Sequence, residues 1–187
     1  MTDRLEGAGG GVRRMEDLEL MQRVARRDQA AFRSLYARYA DQLYRFALAR
    51  LRSEGAAQDV VQETFLTVWQ QAERYAGLAS LRTYLCGICH HKVLDYERRR
   101  GRELALASPL EELASTSPPP EAGLTAAEAL QSLPREMSSV LILAFHVGLR
   151  YEEIAQVLQI PVGTVKSRVY QARRRLQAML KGDEPGV

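Results

Sequence analysis

Near the C-terminus, the segment GLRYEEIAQVLQIPVGTVKSRVYQARRRLQAML (residues 148–180) combines helical periodicity with side chains that can bind DNA. Its apolar residues recur every three or four positions, which predicts a short helix, a tight turn and a longer second helix. We expect Pro161 to lie in the first turn of that second helix, where its missing N–H costs no hydrogen bond. The polar face of the second helix carries Lys166, Ser167, Tyr170, Gln171 and Arg174, with Arg168, Arg173 and Arg175 on its flanks.

This polar face has the chemistry of a recognition helix. Lys and Gln side chains can hydrogen-bond base edges in the major groove, whereas Arg and Ser can hold phosphates. An ordinary amphipathic helix can also show a basic face to solvent. The small Ala155 in the first helix, the tight turn and the basic face on the second helix favour a helix-turn-helix that binds DNA.

A second candidate for chemistry is the Cys-Gly-Ile-Cys-His stretch at residues 86–90, which matches the attachment pattern of c-type haem. The stretch lies inside a predicted amphipathic helix, and the N-terminus has no apolar export signal, so haem is disfavoured. Two cysteines three residues apart and adjacent histidines lie on several sides of a helix, which disfavours a closed zinc tetrahedron. We expect structural packing and no cofactor, with metal or thiol sensing through Cys86 and Cys89 as the alternative.

The sequence shows no constellation of catalytic residues. His90, His91 and His146 have no evident nucleophile beside them, and no glycine-rich loop could cradle a phosphate. We therefore predict that the protein is not an enzyme.

Composition and charge indicate a cytoplasmic globular protein. The 187 residues are 46% hydrophobic, and the sequence has no run of about 18 apolar residues that could form a membrane span. The net charge of +3 is unevenly distributed. Residues 13–102 carry 17 basic and 11 acidic side chains. Residues 103–128 carry no basic and five acidic side chains, and residues 129–187 carry eight basic and five acidic ones. Two basic blocks around an acidic connector suit a polyanion-binding protein, and they suit helices with solvated basic faces equally well.

The predicted elements are all helices, and they form two small domains joined by a flexible linker. Asp28 is expected to cap one helix and Ser80 another that runs to about Arg100, with a helix from Ala56 to Tyr75 between them and a short one near residues 17–26. Apolar residues at three- and four-residue spacing after Asp28, Tyr36 among them, predict that the helix capped by Asp28 is amphipathic. The predicted boundaries are a flexible tail (1–14), a helical domain (15–101), a Pro-rich acidic linker (102–126), a helix-turn-helix domain (127–181) and a second tail (182–187).

Two stretches resemble a known family. LPREMSSVLILAFHVGLRYEEIAQVLQIPVGTVKSRVYQARRRL is similar to domain 4 of the sigma-70 superfamily, in the form found in extracytoplasmic-function (ECF) sigma factors. AFRSLYARYADQLYRFALARLRSEGAAQDVVQETFLTVWQQAERY and SLRTYLCGICHHKVLDYERRR resemble domain 2 of that family. The resemblance covers about residues 15–180 and implies a dissociable subunit that gives bacterial RNA polymerase its promoter specificity.

The resemblance also implies roles for individual residues. In the helix-turn-helix, Lys166, Ser167, Tyr170 and Gln171 would face the bases of the minus-35 element, and Arg168, Arg173 and Arg174 would hold phosphates. The minus-10 element would be melted and bound by Tyr75, Ser80, Arg82, Tyr84, His91, Lys92, Asp95 and Arg98. Asp59, Gln62 and Glu63 would bind the clamp coiled coil of the largest polymerase subunit.

Further partners and departures follow from the same resemblance. An anti-sigma factor is an expected partner, and a membrane is not. The chain has Tyr84 where the family often has Trp, His91 where it often has Asn, and Ala144 where it often has Arg. A promoter sequence therefore cannot be borrowed from a relative. Beside the sigma factor, the residues leave open a repressor or activator that binds DNA without polymerase, and a redox or metal sensor.

Overall fold

The computed structural model describes the backbone of residues 6–107 and 126–181, and the side chains of residues 14–103, 128–130 and 132–180. Within these ranges the secondary structure is helical and contains no strand, as the sequence predicts. The helices are α1 (Glu6–Ala25), α2 (Gln29–Leu51), α3 (Glu54–Gln71), α4 (Leu81–Ala107), α5 (Ala126–Ser132), α6 (Arg135–Leu141), α7 (Tyr151–Leu158) and α8 (Val162–Lys181). A 3-10 turn (Ala72–Arg74) follows α3, and a π-helical turn (Ile142–His146) follows α6.

The chain divides into two compact units, one built mainly from α1, α2, α3 and α4 as far as Glu97, and the other mainly from α5 to α8. In the first unit α1, α2 and α3 pack against one another. Apolar side chains at three- and four-residue spacing form its core, so most of the stabilisation comes from burial of one face of each helix. The largest fully buried side chains of this core are Met21, Val24, Leu35, Leu43, Phe46, Val60, Val68, Leu81 and Leu85.

Side-chain caps fix where the helices of the first unit begin. The Asp28 Oδ1 accepts hydrogen bonds from the backbone N–H of Ala30 (2.8 Å) and of Ala31 (3.1 Å), as predicted. Ser80 Oγ accepts a bond of 3.1 Å from the N–H of Thr83 at the start of α4, also as predicted. Ser53, predicted to lie in a break between helices, caps α3 by accepting a bond of 3.3 Å from the N–H of Ala56. Each cap satisfies a backbone donor that the first helical turn leaves without a partner.

Two helices are longer than the sequence predicts. α1 begins at Glu6 and takes in glycines that were assigned to a flexible tail, and α4 continues to Ala107, beyond the predicted start of the linker at residue 102. Once a helix is nucleated, each added residue gains a hydrogen bond without a new nucleus, and residues 103–107 (Glu-Leu-Ala-Leu-Ala) are good helix formers. The rest of the predicted linker (108–125) and the tail 182–187 lie outside the described residues.

In the second unit, α5 and α6 pack against α8, and α7 with α8 forms the predicted helix-turn-helix. The connection is tight because Gln159 adopts a left-handed conformation (φ 54°) and the N–H of Ile160 bonds back to the Ala155 carbonyl at 3.1 Å. Pro161 lies one position earlier than predicted. Its carbonyl accepts bonds from the N–H groups of Thr164 and Val165, so it stands just before α8 rather than in its first turn.

Candidate nucleic-acid interfaces

α8 separates apolar and polar side chains cleanly. Val165, Val169 and Ala172 are buried, so the helix is fixed against its own unit by one face. The opposite face exposes every side chain that the sequence assigned to base contact, together with one predicted phosphate contact. These exposed residues are Lys166, Ser167, Tyr170, Gln171 and Arg174. Such a rigidly supported polar helix face is the arrangement that major-groove recognition needs.

Two of the three arginines on the flanks of α8, Arg168 and Arg173, are held by neighbours that the sequence did not identify. Arg168 is half-buried, and its Nη2 lies 2.6 Å from Glu136 Oε2 on α6. Arg173 places its guanidinium carbon 5.2 Å from the ring centre of Phe145, which is 59% exposed in the π-helical turn. A cation over an aromatic ring loses conformational freedom while keeping its hydrogen-bond donors. Both guanidinium groups are therefore oriented before any DNA arrives.

A second polar face lies on α4. Tyr84, His91, Asp95 and Arg98 are spaced seven, four and three residues apart, which puts them on one side of the helix. His91, Asp95 and Arg98 are exposed, and Tyr84 is half-buried. Burial raises the pKa of Tyr84, so its hydroxyl stays protonated near neutral pH. We call these four residues the α4 face.

The other residues predicted to contact the minus-10 element lie beside this face or beneath it. Lys92 points towards α3, where its Nζ lies 3.6 Å from Glu63 Oε2, and Arg82 is half-buried. Tyr75 is only 8% exposed, and its hydroxyl donates to the Ala79 carbonyl at 3.0 Å. Burial raises the pKa of Tyr75 to about 12. Tyr75 thus supports the loop before α4, as Ser80 does through its cap on Thr83.

The predicted polymerase-binding residues lie along α3. Asp59 and Gln62 are exposed, and Glu63 is half-buried beside Lys92. An open groove of about 460 Å³ runs between α2 and α3 next to them, lined by Tyr36, Ala40, Asp41, Tyr44, Gln58, Val61 and Gln62. Tyr36 belongs to the apolar stripe of α2, yet 44% of this residue is exposed in the groove while its ring centre lies 4.6 Å from that of Phe65. Apolar spacing alone could not show that α3 leaves this part of α2 uncovered.

The Cys-Gly-Ile-Cys-His stretch faces the interior. Cys86 and Cys89 are both free thiols and fully buried, and burial raises the pKa of Cys89 to about 12. A thiol that stays protonated and has no access to solvent is a poor nucleophile and a poor metal ligand. Within the described residues, no three His, Cys, Asp or Glu side chains come together as metal ligands could. The geometry favours structural packing for this stretch.

His90 is also buried, and its Nδ1 has no hydrogen-bond partner. Burial, with smaller contributions from the positive charge of Arg50 and from the neighbouring His91, lowers the pKa of His90 to about 4. In the part of the chain that the structure describes, no helix is both long and apolar enough to cross a membrane.

Family comparisons match both polar surfaces. The family described as Sigma-70 region 2 matches residues 35–103, which contain the α4 face, and Sigma-70, region 4 matches residues 124–176, which contain most of α8. The chain is 34% identical over 165 residues to the ECF RNA polymerase sigma factor SigE of Mycolicibacterium smegmatis, covering 82% of this chain and 64% of that protein. It is 29% identical over 182 residues to the RNA polymerase sigma-H factor of Pseudomonas aeruginosa, covering 89% of this chain and 94% of that one.

Two solved structures share the fold. CnrH, solved in complex with the cytosolic domain of CnrY, has a TM-score of 0.68 and 30% identity, over 90% of this chain and 99% of CnrH. The sigma factor RpoE of Bartonella quintana, solved with the anti-sigma factor NepR, has a TM-score of 0.66 and 28% identity, over 82% of this chain and 98% of RpoE.

Proposed function

This chain belongs to the ECF branch of the sigma-70 family, and we propose that it directs RNA polymerase to promoters through two separate surfaces, the exposed face of α8 and the α4 face. The family membership makes it a promoter-recognising RNA polymerase sigma factor. The observation that carries the assignment of surfaces is that both matched regions expose polar, partly basic helix faces on rigid apolar supports.

The exposed face of α8 reads the minus-35 element. Lys166 and Gln171 hydrogen-bond base edges in the major groove, with Ser167 and Tyr170 beside them. Arg168, Arg173 and Arg174 contact phosphates and fix the register of the helix on the duplex. The Glu136–Arg168 pair is no obstacle, because an exposed ion pair contributes about 0–1 kcal/mol and a phosphate can replace the carboxylate.

The α4 face binds the minus-10 element, where the strands separate. Tyr84 offers a partly exposed ring on which a base can stack, and Arg98 and Lys92 supply charge for the backbone. His91 and Asp95 present hydrogen-bonding groups between them. Arg82 stands at the edge of this surface. Tyr75 and Ser80 contribute indirectly, because their hydrogen bonds hold the loop that precedes α4.

Polymerase binds through α3. Asp59, Gln62 and Glu63 engage the clamp coiled coil of the largest subunit, and the α2–α3 groove beside Gln62 adds the apolar area that Tyr36 exposes.

Polymerase and promoter DNA meet in the cytoplasm, and the protein acts there as a non-enzymatic specificity subunit without a cofactor. Since CnrH and RpoE were solved with CnrY and the anti-sigma factor NepR, an anti-sigma factor is the expected regulatory partner.

The decisive experiment is transcription in vitro with core polymerase from the bacterium that carries the gene. Purified full-length chain is added to core enzyme and genomic promoter fragments, and the 5′ ends of transcripts are sequenced. The proposal is supported if initiation depends on the chain and if two conserved sequence elements lie upstream of the transcription start sites. DNA binding without initiation would instead indicate a repressor or activator that works without polymerase.

A further inference from the structure

The loop between the 3-10 turn and α4, residues 76–80, is held from one side by α1. Arg14 Nη2 donates a hydrogen bond of 3.3 Å to the Leu78 carbonyl, across 64 residues of sequence. Leu18 packs against Gly77 so closely that a Cβ at position 77 would lie 2.9 Å from Leu18 Cδ2. Gly77 also has a left-handed backbone (φ 69°), which side chains other than glycine rarely adopt. Glycine is thus required twice at this position, by its conformation and by the approach of α1.

The residues of α1 that reach the loop form one row on the helix. Arg14 and Leu18, which contact the loop, are four residues apart and share a face with Asp17, which follows Arg14 by three residues. Asp17 is buried and its Oδ1 lies 3.5 Å from Arg38 Nη1, which ties this row to α2. The row is therefore anchored to the body of the first unit at the point where it touches the loop.

The far end of the loop is fixed as well. Tyr75 bonds to the Ala79 carbonyl, and Ser80 caps α4. Arg14 holds the carbonyl of Leu78 and Leu18 packs against its neighbour Gly77. The side chain of Leu78 points away from these contacts, and the residue is 85% exposed. The loop continues directly into α4, and the ring of Tyr75 lies 5.1 Å from that of Tyr84 in the α4 face. An apolar side chain is thus presented to solvent at the N-terminal end of the DNA-binding surface.

We propose that Arg14 and Leu18 are positioning residues for minus-10 recognition, which hold the 76–80 loop so that the loop and the α4 face meet DNA as one preformed surface. This inference rests on the proposed function of the α4 face. Neither residue touches DNA. Ordering the loop during folding removes an entropy cost that each binding event would otherwise bear, and it keeps a displaced base and the side chains that select it in register.

The test separates discrimination from general loss of activity. Full-length Arg14→Ala and Leu18→Ala chains are assembled with core polymerase and used to transcribe two promoter libraries, one randomised over the minus-10 element and one over the minus-35 element. Leu20→Ala is the matched control for Leu18→Ala, since Leu20 is a half-buried leucine of α1 that lines a separate groove between α1 and α2, with Ser34 and Arg38, and not the loop. Arg26→Ala is the control for loss of an exposed positive charge.

We expect both test variants to lower the preference for the best minus-10 sequence over its single-base variants by about tenfold, while the preference within the minus-35 library stays at the wild-type level. The controls should keep both preferences. Amide hydrogen exchange of residues 76–80 should speed up in the test variants. Because Arg14 is exposed, Arg14→Ala is expected to fold even if Leu18→Ala does not.

Unchanged minus-10 preference in Arg14→Ala overturns the proposal. It is also overturned if the two libraries lose selectivity together, since that outcome reports a general loss of stability. A wild-type chain that initiates without any minus-10 preference refutes the proposed role of the α4 face and the positioning role with it. A wild-type chain with a clear preference that the variants retain refutes the positioning role alone.

Discussion

The polar side chains of α8 divide into those free to turn towards bases and those already held by neighbours. Lys166 and Gln171 are exposed, whereas Arg168 pairs with Glu136 and Arg173 lies over Phe145. Reading a base requires a side chain that can adopt a specific bidentate geometry, while holding a phosphate requires only a positioned charge. The two groups are therefore expected to fail differently when replaced.

Gln171→Ala should weaken initiation at promoters with the cognate minus-35 element by about 1–3 kcal/mol, because a base contact is lost. Lys166→Ala should behave in the same way. The measurement is open-complex formation at matched and mismatched minus-35 elements. Gln177→Ala, which removes another exposed glutamine two turns further along α8, is the control and should have little effect. Equal losses on matched and random DNA would contradict the assignment of base-reading residues.

Arg173→Ala should weaken DNA binding on all sequences alike and reduce the slope of log affinity against log salt by about 1, since one phosphate contact disappears. Titration of holoenzyme with duplex DNA at several salt concentrations measures this slope. Phe145→Ala should shift affinity in the same direction but leave the slope near its wild-type value, because the charge remains and only its orientation is lost. A changed slope in Phe145→Ala would argue against this division of roles.

His90 makes stability depend on pH. Its pKa is about 4 in the folded protein and near 6.5 when unfolded, because burial and the charge of Arg50 disfavour the protonated ring. The unfolded state thus binds the proton first, and the free energy of unfolding should fall as the pH drops from about 6.5 towards 4, by at most about 1.4 kcal/mol per pH unit. Above pH 6.5 the ring is neutral in both states and contributes no slope.

Urea unfolding between pH 7 and 5 tests this. His90→Leu should flatten the dependence, whereas His91→Gln, which removes only the smallest of the three causes that lower the pKa of His90, should leave most of it in place. A His90→Leu protein with the wild-type slope would show that another group carries the pH dependence.

The sequence could predict those features of the site that depend on interactions between residues close in the chain. The caps at Asp28 and Ser80 and the exposed face of α8 follow from residue type and helical period, and the structure has them. The partners Glu136 for Arg168 and Leu78 for Arg14 could not be predicted, since they are 32 and 64 residues away and depend on how helices pack. Tyr75 shows the same limit. A tyrosine at this position could serve as a platform on which a base stacks, and only its burial in the folded unit shows that it supports the loop before α4.

At the scale of the elements, α4 is fastened to α2 by an ion pair in the interior. Arg50 Nη2 lies 3.0 Å from Glu97 Oε1, and the two side chains are only 4% and 12% exposed. Glu97 lies one residue before Arg98 of the α4 face, so the pair fixes the part of α4 that carries the last residues of that face. Burying two charges is costly, but removing one of them leaves the other charge uncompensated.

Arg50→Ala should therefore lower the free energy of unfolding by about 3–5 kcal/mol, measured by urea denaturation. Replacing both partners, as Arg50→Met with Glu97→Leu, should restore most of that loss because no buried charge remains. Arg45→Ala is the control: it breaks an exposed pair with Asp41 on the same helix and should cost about 1 kcal/mol or less. If Arg50→Ala costs no more than Arg45→Ala, the interior pair does not hold α4.

Element ends were the least predictable part of the fold. The sequence placed the end of α4 near Arg100 because Gly101 and the proline-rich stretch follow, yet the helix passes through Gly101 and reaches Ala107. A single glycine costs only about 1 kcal/mol in a helix, and the good helix formers after it offset that cost. This reasoning does not extend to the start of α1 at Glu6, because four of residues 6–11 are glycine.

For the whole molecule, the proposed function assigns the two promoter elements to the exposed face of α8 and to the α4 face, and Gln171 of the first and His91 of the second lie in different units. Free-energy changes at sites without shared partners add, whereas changes within one contact network do not. Gln171→Ala in α8 combined with His91→Ala in the α4 face should thus weaken initiation by the sum of the single effects, to within about 0.5 kcal/mol. The comparison pair Lys166→Ala with Gln171→Ala lies within one surface and should depart from additivity. Competition between wild-type and variant holoenzymes for one promoter measures all five chains on the same scale. A strong coupling between residues 171 and 91 would mean that promoter DNA is read by one combined surface and not by two.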